Sequence, residues 1–173
     1  MTLAGASDIL RDHVPRRTDV EAIAQVLRRQ PNPLEASAEH STLDLTFVDL
    51  SKTDLRGAHL EGCDLRNSDL ALVNLTGAHL EFADLRGAVL DGSFFVAAHL
   101  HRARLDGASF RGTLMVGTDL NGAHIEGTDL SNAVGLEYDQ ILNASRSNRT
   151  KLPPDIERVV EILIPASDPS PEL

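Results

Sequence analysis

There is no tryptophan, one tyrosine and only five phenylalanines among 173 residues, although 42% of the chain is apolar. Aromatic rings usually supply much of a globular core. This core must therefore be aliphatic and must reach dense packing in another way. A single cysteine excludes an internal disulfide framework and points to a cytoplasmic setting. The longest apolar runs, residues 94–98 and 162–164, fall far short of the ~20 residues of a membrane helix. The N-terminus, MTLAGASDILRDH, lacks the basic-then-apolar pattern of a signal peptide. Positive charge is scarce too. Lys and Arg number 16 against 26 Asp and Glu, a net charge of −10, which argues against direct nucleic-acid binding and against attraction to anionic membranes. No Gly-rich loop followed by Lys-Ser/Thr, H-E-x-x-H, C-x-x-C, G-x-S-x-G or calcium loop occurs. Catalytic residues, cofactors and dedicated metal ligands are accordingly not expected, and the chain reads as non-enzymatic.

What is present is a period of five. Leu45, Leu50, Leu55, Leu60, Leu65, Leu70, Leu75, Leu80, Leu85, Leu90, Phe95, Leu100, Leu105, Phe110, Met115, Leu120, Ile125 and Leu130 follow one another at that interval without a polar interruption. The residue two before each is usually small, as at Ala58, Cys63, Ser68, Ala78 and Ala103. The residue two after is glycine at ten positions out of the 12 glycines in the chain, and the residue just before is aspartate at eight. Neither the 3.6-residue period of a helix nor the 2-residue period of a strand gives this pattern. Glycine accepts positive φ, and aspartate bonds its own backbone in turns. Each unit is therefore a short extended piece and a tight corner. One unit cannot bury its own leucine, so the units must stack as a solenoid.

This A-D-L-x-G array, from Leu43 to about Ala133, resembles the pentapeptide-repeat family. The resemblance implies an all-β fold, a right-handed quadrilateral β-helix with four pentapeptides per coil and just under five coils. The central residue and the small residue two before it would point inward, and the other three columns would face solvent. Stacking at ~4.8 Å makes the rod only about 20–25 Å long. Its ends would be open edges needing cover.

The flanks supply candidates for that cover. Thr18 and Glu21 have capping-box spacing, and Val20, Ile23, Ala24 and Leu27 share a helical stripe, so a helix is expected over residues 19–29. Pro31 and Pro33 end it. Further helices are expected at 138–145 and, as helix or strand, at 155–164. The expected organisation is an N-terminal arm at 1–17, a capping helix and linker at 18–40, the β-helix at 41–137, a C-terminal helical cap at 138–164 and a disordered tail at 165–173.

Three outward features are candidates for function. His59, His79 and His99 lie 20 residues apart, with Glu61, Glu81 and His101 two residues further on. They form a ladder on one face, read as solvated and polar, although stacked imidazoles could share a transition metal such as zinc. Phe94, Val96, Leu114, Val116 and Val134 occupy outward columns where the consensus is polar. Either residues 156–164 fold back over them, or they form a dimer or partner interface. The third feature is acidity. Some pentapeptide-repeat proteins mimic B-DNA in shape and charge, bind DNA gyrase and protect it from quinolones. Here, however, Asp64 and Asp84 alternate with Arg66 and Arg86, which weakens any continuous field. The favoured reading is a protein-interaction scaffold whose partner the sequence does not identify. Homodimerisation is one form of it, and a gyrase-directed DNA mimic is the alternative.

Overall fold

The computed structural model describes residues 17–29 and 43–163. The arm expected before Arg17, the linker through Pro31 and Pro33, and the tail at 165–173 lie outside those residues.

Aspartate and left-handed corners build the repeat unit. From Leu50 to Leu130 the N–H three residues after each central residue returns to its carbonyl, as in Ala58 to Leu55 at 3.0 Å. From Phe47 to Gly127 the residue before that N–H has positive φ. This is the backbone of a type II turn. Gly57 (φ 61°) and Gly77 (φ 64°) adopt it freely, but Phe47, Lys52, Asn67, Leu72, Phe82, Ala97 and Arg102 adopt it too, at φ between 53° and 61°. All eight aspartates of the preceding column accept the turn's N–H through Oδ1, as in Asp49 from Ser51 and Asp119 from Asn121, both at 2.9 Å. Asn74 does the same for Thr76 at 3.1 Å.

Successive coils pair in parallel and advance twenty residues at each rung as far as Val134. One side runs Asp44, Asp64, Asp84, Arg104, His124, and another runs Asn74, Phe94, Leu114, Val134. Each coil gives N–H groups to the next and receives them back. Leu65 donates to Asp84 O at 2.8 Å, for example, while Asp84 donates to Cys63 O at 2.9 Å. The eighteen central residues fill the axis, none more than 1% exposed. Ser68, Ser93, Thr113, Thr118 and Thr128 in the small inward column are also buried, and each hydroxyl donates to a backbone carbonyl. These inward hydroxyls are thus satisfied. The two phenylalanines at the axis, Phe95 and Phe110, meet with ring centroids 5.3 Å apart.

Helix α1 (Arg17–Arg29) buries Ile23, Ala24 and Leu27. It spans Arg17–Arg29, against the 19–29 expected, and helix ends commonly shift by a residue or two. In later coils the N–H equivalent to His59 bonds a carbonyl of the preceding coil, as His79 does to Ala58 at 2.9 Å. At the first coil, His59 N–H instead reaches Leu27 O at 3.2 Å, a carbonyl in the last turn of α1. Arg28 adds an ion pair to Asp54 at 3.2 Å.

The segment expected to be a helical cap over 138–164 is only partly helical. Helix α2 (Tyr138–Ile141) is four residues long, and α3 (Pro154–Leu163) follows later. Between them the chain rejoins the stack. Ile125 N–H bonds Ser145 O at 2.8 Å, and Leu130 N–H bonds Lys151 O at 2.8 Å. The last coil otherwise presents free donors, and extended chain satisfies them where a helix would not. That is why the helix expected to reach residue 145 stops at Ile141.

Truncating the axis should destabilise far more than truncating an outward column. Leu100→Ala is expected to lower unfolding free energy by about 2–5 kcal/mol, and Val116→Ala by less than about 0.5 kcal/mol, by urea titration.

Candidate functional site

The apolar columns lie where the pattern predicted. Phe94, Leu114 and Val134 pair in sequence on one sheet face. Phe94 is 44% exposed, Val116 49% and Val134 57%, while Val96 and Leu114 are half-buried. The equivalent residues in earlier coils are Asp54 and Asn74 in one column and Arg56 and Thr76 in the other. The same two columns therefore turn apolar together. The C-terminal segment does not cover them. Ile156 and Val160 of α3 are buried, as is Leu152 just before it, yet Phe94, Val116 and Val134 remain in solvent. The fold-back reading is thus not what the structure shows. Residues 143–151 are held on the rungs above His124 and Asp129, and the chain that follows starts from there. Leu72 and Phe82 are exposed elsewhere, at left-handed corners.

The histidine ladder is a real stack. His59 and His79 have ring centroids 4.8 Å apart and nearly parallel planes, and His79 and His99 follow at 4.7 Å. Nδ1 of His59 contacts Oε1 of Glu61 at 2.9 Å, and Nδ1 of His79 contacts Oε1 of Glu81 at 3.2 Å. The sequence placed these residues on one face but did not show how deeply the glutamates sit. The Glu61 side chain is only 4% exposed and that of Glu81 24%.

A second acidic pair, Asp106 and Glu126, stacks one face away beside His124. Burial and the neighbouring Glu126 raise the Asp106 carboxyl above the ordinary carboxylate range. Burial opposes ionisation of Glu126 as well, but hydrogen bonds from Ser145 and Asp106 outweigh it and hold Glu126 below that range. The pair thus holds one proton more readily than either carboxylate would alone. A depression of about 520 Å³ lies beside it, lined by Gly107, Glu126, Gly127, Ser147, Asn148 and Arg149.

Elsewhere several acids are paired with arginine. Arg56, Arg66 and Arg86 each form a two-pronged contact with the aspartate two residues earlier, at 2.6–3.1 Å. Arg111 reaches across coils to Asp91 at 2.7 Å. The Arg56 hydrogen bond holds the Asp54 carboxyl down to about 2. Arg66 likewise lowers Asp64. At Asp84 and Asp91 burial pushes upward, but hydrogen bonds from Arg86, and from Ser109 and Arg111, more than offset it. Cys63 is buried in the inward column, and burial pushes its thiol up to about 12. No helix among the described residues is long and apolar enough to cross a membrane.

A family model described as pentapeptide repeats matches in eight copies, over residues 44–81, 53–92, 68–102, 78–115 and 98–134. No curated relative matches. Among solved structures, the pentapeptide repeat protein Rfr23 from the cyanobacterium Cyanothece 51142 is 24% identical, covering 73% of this chain and 78% of its own, with a TM-score of 0.43. A pentapeptide repeat protein from the Arabidopsis thaliana thylakoid lumen is 26% identical, covering 67% and 88%, at 0.33. The plasmid-mediated fluoroquinolone resistance protein QnrB1 is 22% identical, covering 58% and 57%, at 0.31. At TM-scores of this size the likeness carries no argument about function.

Two outcomes follow from these environments. Asp54, Asp64, Asp84 and Asp91 have folded-state pKa values below the ~3.9 of an unfolded aspartate. Their stabilisation is complete above about pH 5 and is lost as pH falls from about 4 toward 2. Thermal midpoints should be level from neutral pH to about 5 and then drop. The drop should be shallower in 1 M salt, because these pairs are solvent-exposed and screened. Cys63 should not react with an aromatic disulfide reagent at pH 8 while the protein is folded, and should react stoichiometrically in denaturant.

Proposed function

This chain belongs to the pentapeptide-repeat family, and we propose that it acts as a non-enzymatic scaffold, a rigid rod that holds one protein partner against Phe94, Val96, Leu114, Val116 and Val134. On this reading the coils wind right-handed, and α1 and α3 close the two ends. The coordinated change of two adjacent outward columns from polar to apolar carries the proposal. Neither the turn nor the axis needs an apolar group there, and leaving such a strip in solvent is unfavourable unless something binds it.

The chemistry of the strip restricts the partner. The five side chains include no charge. A charged group pressed against them would lose its hydration without compensation, so the partner must offer aliphatic or aromatic groups. Three rungs at ~4.8 Å and two columns give a contact on the order of a few hundred Å² at most. That is well below the ~800 Å² per partner of a standard stable interface. The strip by itself therefore suits a heterologous, reversible partner better than a permanent homodimer.

The acidic surface does not favour a gyrase-directed DNA mimic. The column aspartates serve turns, and three of the eight form two-pronged pairs with arginine.

Wild type and the double variant Phe94→Asp/Val116→Asp should be compared by affinity capture from the native host, followed by binding measurements with the purified partner. The expected result is a partner bound at least about tenfold more weakly by the variant, with the unfolding midpoint of the rod unchanged. Equal binding by the variant, a wild-type dimer in sedimentation, or inhibition of gyrase supercoiling by wild type would each overturn the proposal.

A further inference from the structure

The inward edge of the histidine ladder holds an electrostatic problem that the protein alone does not solve. Glu61 and Glu81 sit at the same position of adjacent coils. Each has one carboxylate oxygen, Oε1, against an imidazole. The other oxygen, Oε2, is buried on both residues and has no hydrogen-bond partner. Among the described residues no lysine or arginine ion-pairs with either. A buried carboxylate oxygen without a donor is strongly disfavoured, and a second one stacked above it adds like-charge repulsion. Elsewhere on this rod the same difficulty is removed by a guanidinium, as at Asp64 and Arg66. Here that role is vacant, and the neighbouring side chains are imidazoles, which are metal ligands as well as hydrogen-bonding groups.

We propose that Glu61, His79 and Glu81 bind a first-row divalent transition-metal ion, with zinc the ion that the donor set fits best. One ligand atom from each lies within 4.8 Å of the others. Two carboxylate oxygens and one imidazole nitrogen are three of the four ligands of a tetrahedral ion, which leaves one position for water or an external group. With metal–ligand bonds of about 2.0–2.1 Å, tetrahedral donors stand about 3.4 Å apart. The widest pair must therefore close by roughly 1.4 Å, a movement within reach of a glutamate rotation about its terminal bonds. His59, bonded to Glu61 Oε1, orients the first carboxylate as an outer-sphere partner. The ion would join two consecutive coils through side chains, as the Arg111–Asp91 ion pair does on another face.

Asp106, His124 and Glu126 form a comparable triad. They are a weaker choice. Asp106 Oδ2 and Glu126 Oε2 are also buried without a partner, but these carboxylates are more exposed overall and Ser145 donates to Glu126. The near-complete burial of Glu61 has no equivalent there.

The test uses the full chain, metal-stripped, titrated with Zn²⁺ against a chromophoric chelator and, separately, with Co²⁺ followed by visible absorption. Wild type should bind one equivalent at this site, give a cobalt spectrum of a four- or five-coordinate ion, and gain thermal stability with Zn²⁺. Glu61→Gln should bind at least about tenfold more weakly and lose the thermal shift. It should remain folded without metal, because the substitution removes one of the two repelling charges. Asp106→Asn/Glu126→Gln should bind like wild type. The proposal is overturned if wild type shows no saturable binding at millimolar Zn²⁺. It is also overturned if Glu61→Gln binds as tightly as wild type, or if binding is lost only in the Asp106/Glu126 variant.

Discussion

A left-handed corner every fifth residue is the constraint on which the rest of this protein depends. Four such corners bring the chain back over itself after twenty residues, so in each unit two N–H groups meet carbonyls of the next coil and one meets a carbonyl of the coil before. The corner is a property of the position more than of the residue. Phe47, Leu72 and Phe82 adopt it although a side chain with a Cβ is strained there by about 1–2 kcal/mol. Inter-coil bonds on both sides fix the backbone strongly enough to hold that strain. The leucine axis follows from the same geometry, because alternate residues between corners must point inward. The scarcity of aromatic rings follows in turn, since the space left between four short sides is narrow.

Acidity has to be judged against that geometry. Aspartate recurs in one column because its carboxylate accepts the N–H that the turn leaves free. Arginine then binds the outer oxygen in three of those units. Much of the negative charge is thus a by-product of turning the chain, and in those three units it is paired at close range. This explains why a net charge of −10 is compatible with a partner that carries no positive patch at all.

The periodic part of the structure was legible in the sequence because the period of five is unbroken and the family resemblance supplies four units per coil. The eighteen-residue axis, the stacked His59, His79 and His99, and the faces shared by Phe94 and Leu114 could all be read by counting in twenties. What lay beyond counting was set by the breakdown of the period. After Gly135 the bridging intervals lengthen to twenty-one residues, from His124 to Ser145, and twenty-two, from Asp129 to Lys151. No consensus residue marks those rungs, so helix propensity around Tyr138 was the stronger local signal, and it was correct for only four residues. The depth of Glu61 was illegible for a related reason. Its column is nominally outward, and burial there depends on neighbouring coils rather than on its own unit.

The lengthened intervals bear on how the rod ends. A stack with an unbroken twenty-residue step is its own template: any second copy arriving at the end would find the next rung ready to be copied, and the molecule would grow into a filament. Here the final rungs are out of step by one residue and then by two, and Pro153 and Pro154, which lack N–H groups, follow at once. The mismatch turns an open-ended lattice into a finite object, with its length written in the chain rather than imposed by a partner.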